Sequence, residues 1–184
     1  MEINKAIDTI LSENKKVLER ISTKDVDKFV RTIFKAHRIF VAGMGRSGLV
    51  AKTFAMRLMH LGFETYVIGE TTTPGVEKKD FMIACSGSGE TETTCNMAKN
   101  AKKRGVFIIT FTAKPDSKLA KLSDLVMEIS APVKGEYNKK ISSQYSGSLF
   151  EQALFLFLEA IELVLIARMR KSPSDLWKRH AKME

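Results

Sequence analysis

Five short apolar runs punctuate the chain, and they lack the polar–apolar alternation of a half-exposed sheet. They are RIFVAG (38–43), TYVIG (65–69), FMIACSG (81–87), VFIITFT (106–112) and LVMEIS (125–130). Strands of this kind are buried on both faces. Helical stretches separate them. Ser47 to Leu61 reads as a helix closed by Gly62, and Thr91 to Arg104 as one closed by Gly105. Asp116 to Leu122 is a short helix, and Leu149 to about Arg170 a long apolar one. Strands alternating with helices predict an α/β fold with a five-stranded parallel sheet. Right-handed crossovers give a doubly wound, three-layer sandwich of order 2-1-3-4-5. Two leading helices precede it, 2–20 by its apolar spacing and another starting at Thr23, which is a plausible cap. Ser172-Pro173-Ser174 ends the long helix and a short polar tail follows. The expected organisation is a single domain: leading helices 1–37, α/β core 38–171 and tail 172–184.

The 184 residues carry a formal charge of +9, which invites a nucleic-acid reading or an acidic-ligand reading. The charge is dispersed. Residues 1–38, 39–75, 76–150 and 151–184 carry +3, +1, +4 and +1, each mixing signs. The densest runs, Lys102 to Arg104 and Arg168 to Lys171, fall at helix C-termini, where cations suit the helix dipole. Aromatic residues make up only 8%, too few to interleave a basic face, so no nucleic-acid partner is expected. Cys85 and Cys95 form neither a disulfide scaffold nor a metal-ligand pair, and His37, His60 and His180 are scattered. No metal or organic cofactor is expected. The apolar stretch 149–167 is interrupted by Glu151, Glu159 and Glu162, so no membrane span is expected. With no signal peptide visible, the reading is a cytoplasmic protein.

Two turns carry the chemistry. Gly43-Met-Gly-Arg-Ser-Gly48 follows a strand and opens a helix. Its glycines let backbone amides approach an anion at the helix N-terminus. It satisfies GxGxxG, yet Glu70 after the second strand lies late for a ribose contact. A plain tight turn is the competing reading. Ser86-Gly-Ser-Gly-Glu-Thr91 also joins a strand to a helix. It offers hydroxyls and amides but no lysine, so it is no Walker loop and suits a single phosphate monoester. Both turns sit at carboxyl ends of adjacent strands, where open α/β sheets bind ligands.

These turns, in this order, resemble the sugar isomerase (SIS) domain family. RSGLVAKTFAMRLMHLGFETYVIGETTTP (46–74), SGSGET and SLFEQALFLFLEAI are similar to its 6-phospho-3-hexuloisomerase branch, over nearly the whole chain. The resemblance implies interconversion of D-arabino-hex-3-ulose 6-phosphate and D-fructose 6-phosphate in the ribulose monophosphate pathway. It implies a phosphate grip by Ser47, Ser86, Ser88 and Thr91 with loop amides, drawn from Gly45, Arg46, Gly87 and Gly89. It also implies a carboxylate base at Glu151, a histidine after the last helix, matched here by His180, and a homotetramer.

Helix direction agrees on Glu151, because helix N-termini lie at the carboxyl edge of a parallel sheet. Dipole stabilisation of a helix start is the plainer alternative for it. Glu162 lies about 16 Å lower on the same helix, too far to serve as a base there. His60 lies roughly 20 Å from its own loop edge. It either packs or serves a neighbouring subunit. His180 sits on a tail free to reach another subunit, with a solvated tail as the alternative. Arg46 contacts either phosphate or a neighbour's carboxylate. His37 and Cys85 read as structural. Two other readings remain: an isomerase for a different phosphosugar such as arabinose 5-phosphate, and a non-catalytic sugar-phosphate sensor.

Overall fold

The computed structural model describes residues 2–136 and 142–182. Five strands, β1 (Ile39–Gly43), β2 (Thr65–Val67), β3 (Phe81–Cys85), β4 (Phe107–Thr112) and β5 (Leu125–Glu128), form one sheet in the order β2-β1-β3-β4-β5. Every pairing is parallel, and Val41 aligns with both Val67 and Ile83. Around it lie α1 (Ile3–Leu18), α2 (Thr23–Ile33), α3 (Gly45–Leu61), α4 (Glu92–Lys103), α5 (Lys118–Leu122), α6 (Ser148–Met169) and α7 (Pro173–Trp177). The expected fold class and strand order are the observed ones.

The pleat divides the core in two. Ile39, Val41, Ile83, Cys85, Ile109 and Phe111 pack with α2, α3 and α6. Ala42, Met82, Ala84 and Ile108 point the other way, onto α4 and α5. Both faces are therefore dry, which is why the strands carry no polar alternation. Phe111 packs edge-on to Phe29, 5.2 Å between ring centroids, and touches Phe157 at 5.9 Å. That contact locks α2 and α6 to the sheet. At the amino edge of the sheet, fully buried Asp80 accepts two hydrogen bonds from Arg38 (3.0 and 2.6 Å) and one from the Glu77 amide. His37 Nδ1 lies 3.3 Å from the same carboxylate, a structural role on the side opposite the turns.

Several boundaries differ from expectation. Ser22, not Thr23, caps α2, its side chain accepting from the Asp25 amide. Thr23 is the first helical residue, so the cap moves back by one. α3 begins at Gly45, two residues before the expected Ser47. The polar tail contains α7, started by a capping box between Ser172 and Asp175. It folds back on the end of α3, where the Arg179 guanidinium lies over Gly62. No helix among the described residues is long and apolar enough to cross a membrane.

Candidate active site

Both glycine turns open at the carboxyl edge of adjacent strands β1 and β3, as doubly wound sheets require of a ligand site. The first turn is held tight by backbone contact. A Cβ on Gly43 would come within 2.9 Å of the Gly48 Cα, and one on Gly48 would strike the Gly43 carbonyl. Neither position tolerates a side chain without moving α3. In the second turn Gly89 adopts φ +63 and lies directly against Ser117, so a side chain there is both strained and blocked. Glu90 pins this turn to α5 through the Lys118 amide (2.9 Å) and ammonium (2.8 Å).

Between the turns lies a cavity of about 360 Å³. Gly45, Arg46, Ser47, Ser86, Gly87, Ser88, Thr91 and Glu151 all line it. Gly89 does not; it sits beneath the turn and shapes it. Among the described residues, the amides of Arg46, Ser47, Gly87 and Ser88 have no backbone acceptor. Ser86 Oγ lies 3.0 Å from Thr91 Oγ1 and accepts from the Gly89 amide at 3.1 Å. Free amides, hydroxyls and the N-terminus of α3 make a concave donor surface, which suits an anion. Among the described residues no group of three His, Cys, Asp or Glu side chains is arranged to hold a metal ion. Cys85 also borders the cavity, but complete burial pushes its thiol up to about 12, so it is no nucleophile.

Glu151 stands in the first turn of α6 with its side chain 18% exposed. Arg46 Nε comes within 2.7 Å of its Oε2, and Arg46 Nη1 donates to Ser148 Oγ at 3.3 Å. The Arg46 N–H is poorly aimed, and buried Oε2 receives no well-formed hydrogen bond. Burial therefore raises the Glu151 pKa, and the opposing Arg46 charge only partly offsets it. Arg46 thus meets a carboxylate of its own chain. Glu162 is occupied elsewhere, 3.2 Å from Arg57.

The structure does not bring His180 to this cavity within one chain. Its ring stacks on His60, 4.9 Å between centroids, and on Trp177 at the same spacing. His60 is buried at the far end of α3, roughly 20 Å from the turns. Outside the two turns, four cavity residues were not singled out by the sequence: Val133, Lys134 and Gly147 between β5 and α6, and Phe150, whose ring packs over Gly87. Lys134 lies in a segment without periodicity whose sequence also carries Lys139 and Lys140, so no local signal distinguishes it.

A family model described as the SIS domain matches residues 32–153. The chain is 44% identical over 165 residues to the 3-hexulose-6-phosphate isomerase of Mycobacterium gastri, covering 90% of this chain and 83% of that one. It is 37% identical over the full length of both chains to the enzyme of the same name from Bacillus subtilis. A solved Methanococcus jannaschii structure, from which a function of 3-hexulose-6-phosphate isomerase was inferred, superposes with a TM-score of 0.86 at 34% identity. That match covers 98% of this chain and 99% of the other.

Proposed function

The chain belongs to the SIS domain family, and from that membership we propose that it interconverts D-arabino-hex-3-ulose 6-phosphate and D-fructose 6-phosphate, the reaction of the ribulose monophosphate pathway. One observation carries the reading: a desolvated carboxylate, Glu151, lines the same cavity as a surface of free amides and hydroxyls. The phosphate belongs against Ser47, Ser86, Ser88 and Thr91, which leaves the sugar carbons beside Glu151. The Glu151 carboxylate takes the proton from C2. The C2–C3 double bond forms as the C3 carbonyl electrons move to O3, giving a cis-enediolate that becomes the cis-enediol when O3 takes a proton from the acid that serves the sugar oxygens. Glu151 then returns the proton to C3 while O2 gives up its own and becomes the carbonyl. No metal or organic cofactor is needed for such a transfer. Phosphate binding far from the reacting carbons supplies orientation.

A panel of phosphosugars tests the substrate. We expect fructose 6-phosphate to exchange its transferred hydrogen with deuterated water and to equilibrate with the 3-ketose. Turnover of arabinose 5-phosphate instead would assign the neighbouring specificity. Binding without any hydrogen exchange would make the protein a sensor.

Proton transfer between the sugar oxygens falls to His180 in this reading, acting from a neighbouring subunit because its own cavity lies beyond reach. Exposed Leu49 and Met56 on α3, and Phe155 and Leu163 on α6, offer an apolar face for that neighbour. The assembly is a homo-oligomer, a tetramer by the family resemblance, working in the cytoplasm without a nucleic-acid partner. Dissociating and mixing Glu151→Gln with His180→Ala subunits should regenerate activity, since about a quarter of the sites in a random oligomer then receive both intact residues. Near-normal activity of the His180→Ala parent would remove His180 from the reaction, and two inactive parents that stay inactive after mixing would exclude its action across the subunit boundary.

A further inference from the structure

Glu13 lies on α1, outside the stretch matched by the family model. Its carboxylate is saturated with donors. Oε2 accepts from Ser142 Oγ at 2.7 Å and Gln144 Nε2 at 2.9 Å. Oε1 accepts from the Ser143 amide at 2.9 Å and Ser143 Oγ at 3.0 Å. Next to it, buried Asn14 donates to Gln152 Oε1 at 2.8 Å, and Gln152 follows Glu151 directly. One turn of α1 thus holds both the loop entering α6 and, through Gln152, the N-terminal part of α6 itself. The same loop forms cavity wall: Gly147 lines it, and Ser146 Oγ accepts from the Gly135 amide beside Val133 and Lys134.

We propose that Glu13 is a positioning residue, whose carboxylate fixes residues 142–144 and so holds the Glu151 carboxylate at the cavity beside Arg46. The proposal rests on the reading of Glu151 as the base. A reacting group displaced by about 1 Å can lose roughly 10²-fold in rate, so a clamp of this kind has kinetic consequences. Burial pushes the Glu13 pKa up, but its four hydrogen bonds outweigh that and hold it below the ordinary 4.5. Glu13 therefore stays ionised wherever Glu151 titrates. The charged groups that share the cavity lining with Glu151 are Arg46 from α3, paired with it at 2.7 Å, and Lys134 from the segment between β5 and α6.

Glu13→Ala should lower kcat by about 10- to 100-fold with KM nearly unchanged, because the phosphate surface is untouched. A loosened loop admits water to Glu151, so the acid limb of kcat/KM should move to lower pH. Amide exchange across 142–147 should accelerate. Glu13→Gln, which still accepts from Ser143, should recover part of the loss. The double variant Ser142→Ala/Gln144→Ala removes donors from the loop side, leaves α1 intact and should reproduce the fall in kcat. Unchanged exchange at 142–147 in Glu13→Ala overturns the clamp whatever the activity. Faster exchange with unchanged kcat and an unmoved acid limb overturns the positioning role. If Glu151→Gln remains active, the base assignment fails instead, and exchange still decides the clamp.

Discussion

Glu151→Gln should lower kcat by about 10²- to 10⁴-fold, the range a general base contributes, while fructose 6-phosphate still binds. Glutamine keeps the shape of the side chain and removes only its capacity to take a proton. Stability should not fall with activity. The raised Glu151 pKa means the folded protein binds that proton more tightly than the unfolded chain. This contribution is present below the ordinary value of 4.5 and is lost as pH rises through the folded value. At neutral pH the wild type therefore carries a charge that burial disfavours, and the neutral variant is relieved of it. The ion pair given up is largely open to solvent on the Arg46 side, 59% exposed, and such pairs contribute about 1 kcal/mol or less. Thermal unfolding at pH 7 should show a Tm at or above wild type beside a collapsed turnover. In the wild type, kcat/KM should fall on the acid side at a pH above 4.5, where Glu151 becomes protonated. Near-normal turnover of the variant, or an acid limb at or below that value, would exclude Glu151 as the base.

The parts of this site that were legible in the sequence are those governed by local chemistry. A strand buried on both faces must be apolar throughout, so β1, β3 and β4 announced themselves. A helix start facing the carboxyl edge must carry its first-turn residues to the ligand side, so helix direction agreed with the position that the family resemblance implies for Glu151. The two turns were readable because only glycine permits the approach of Gly43 to Gly48 and the backbone of Gly89. What escaped depends on contacts between distant segments. Glu13 reaches Ser142 to Gln144 across some 130 residues, and nothing local to an amphipathic helix distinguishes that glutamate from its solvated neighbours. Lys134 lies in a segment with neither strand nor helix periodicity. The tail was misjudged for a local reason that could have been read. Ser172, Pro173 and Asp175 spell a capping box with proline in the first turn, so the same residues that end α6 also start α7. That turn carries His180 back onto His60.

Replacing Ser86 and Ser88 together by alanine should lower kcat/KM for the phosphosugar by about 10²- to 10⁴-fold, most of it in KM, because hydrogen bonds to a charged group contribute about 1.5–3 kcal/mol each. The turn itself should survive. The Gly89 amide keeps its bond to the Ser86 carbonyl at 3.0 Å when the hydroxyl is lost, and Glu90 still anchors the segment to Lys118. Inorganic phosphate separates loss of the anion grip from general damage. It should compete with substrate in the wild type and in Glu151→Gln, and lose most of its affinity in the double serine variant. The cavity holds few positive charges, so this affinity comes from aimed hydroxyls and amides rather than from net charge. Added salt should therefore weaken phosphate competition far less than loss of the hydroxyls does. Equal competition by phosphate in wild type and serine variant would place the anion elsewhere in the cavity, with Arg46 and Lys134 the remaining cations to hold it.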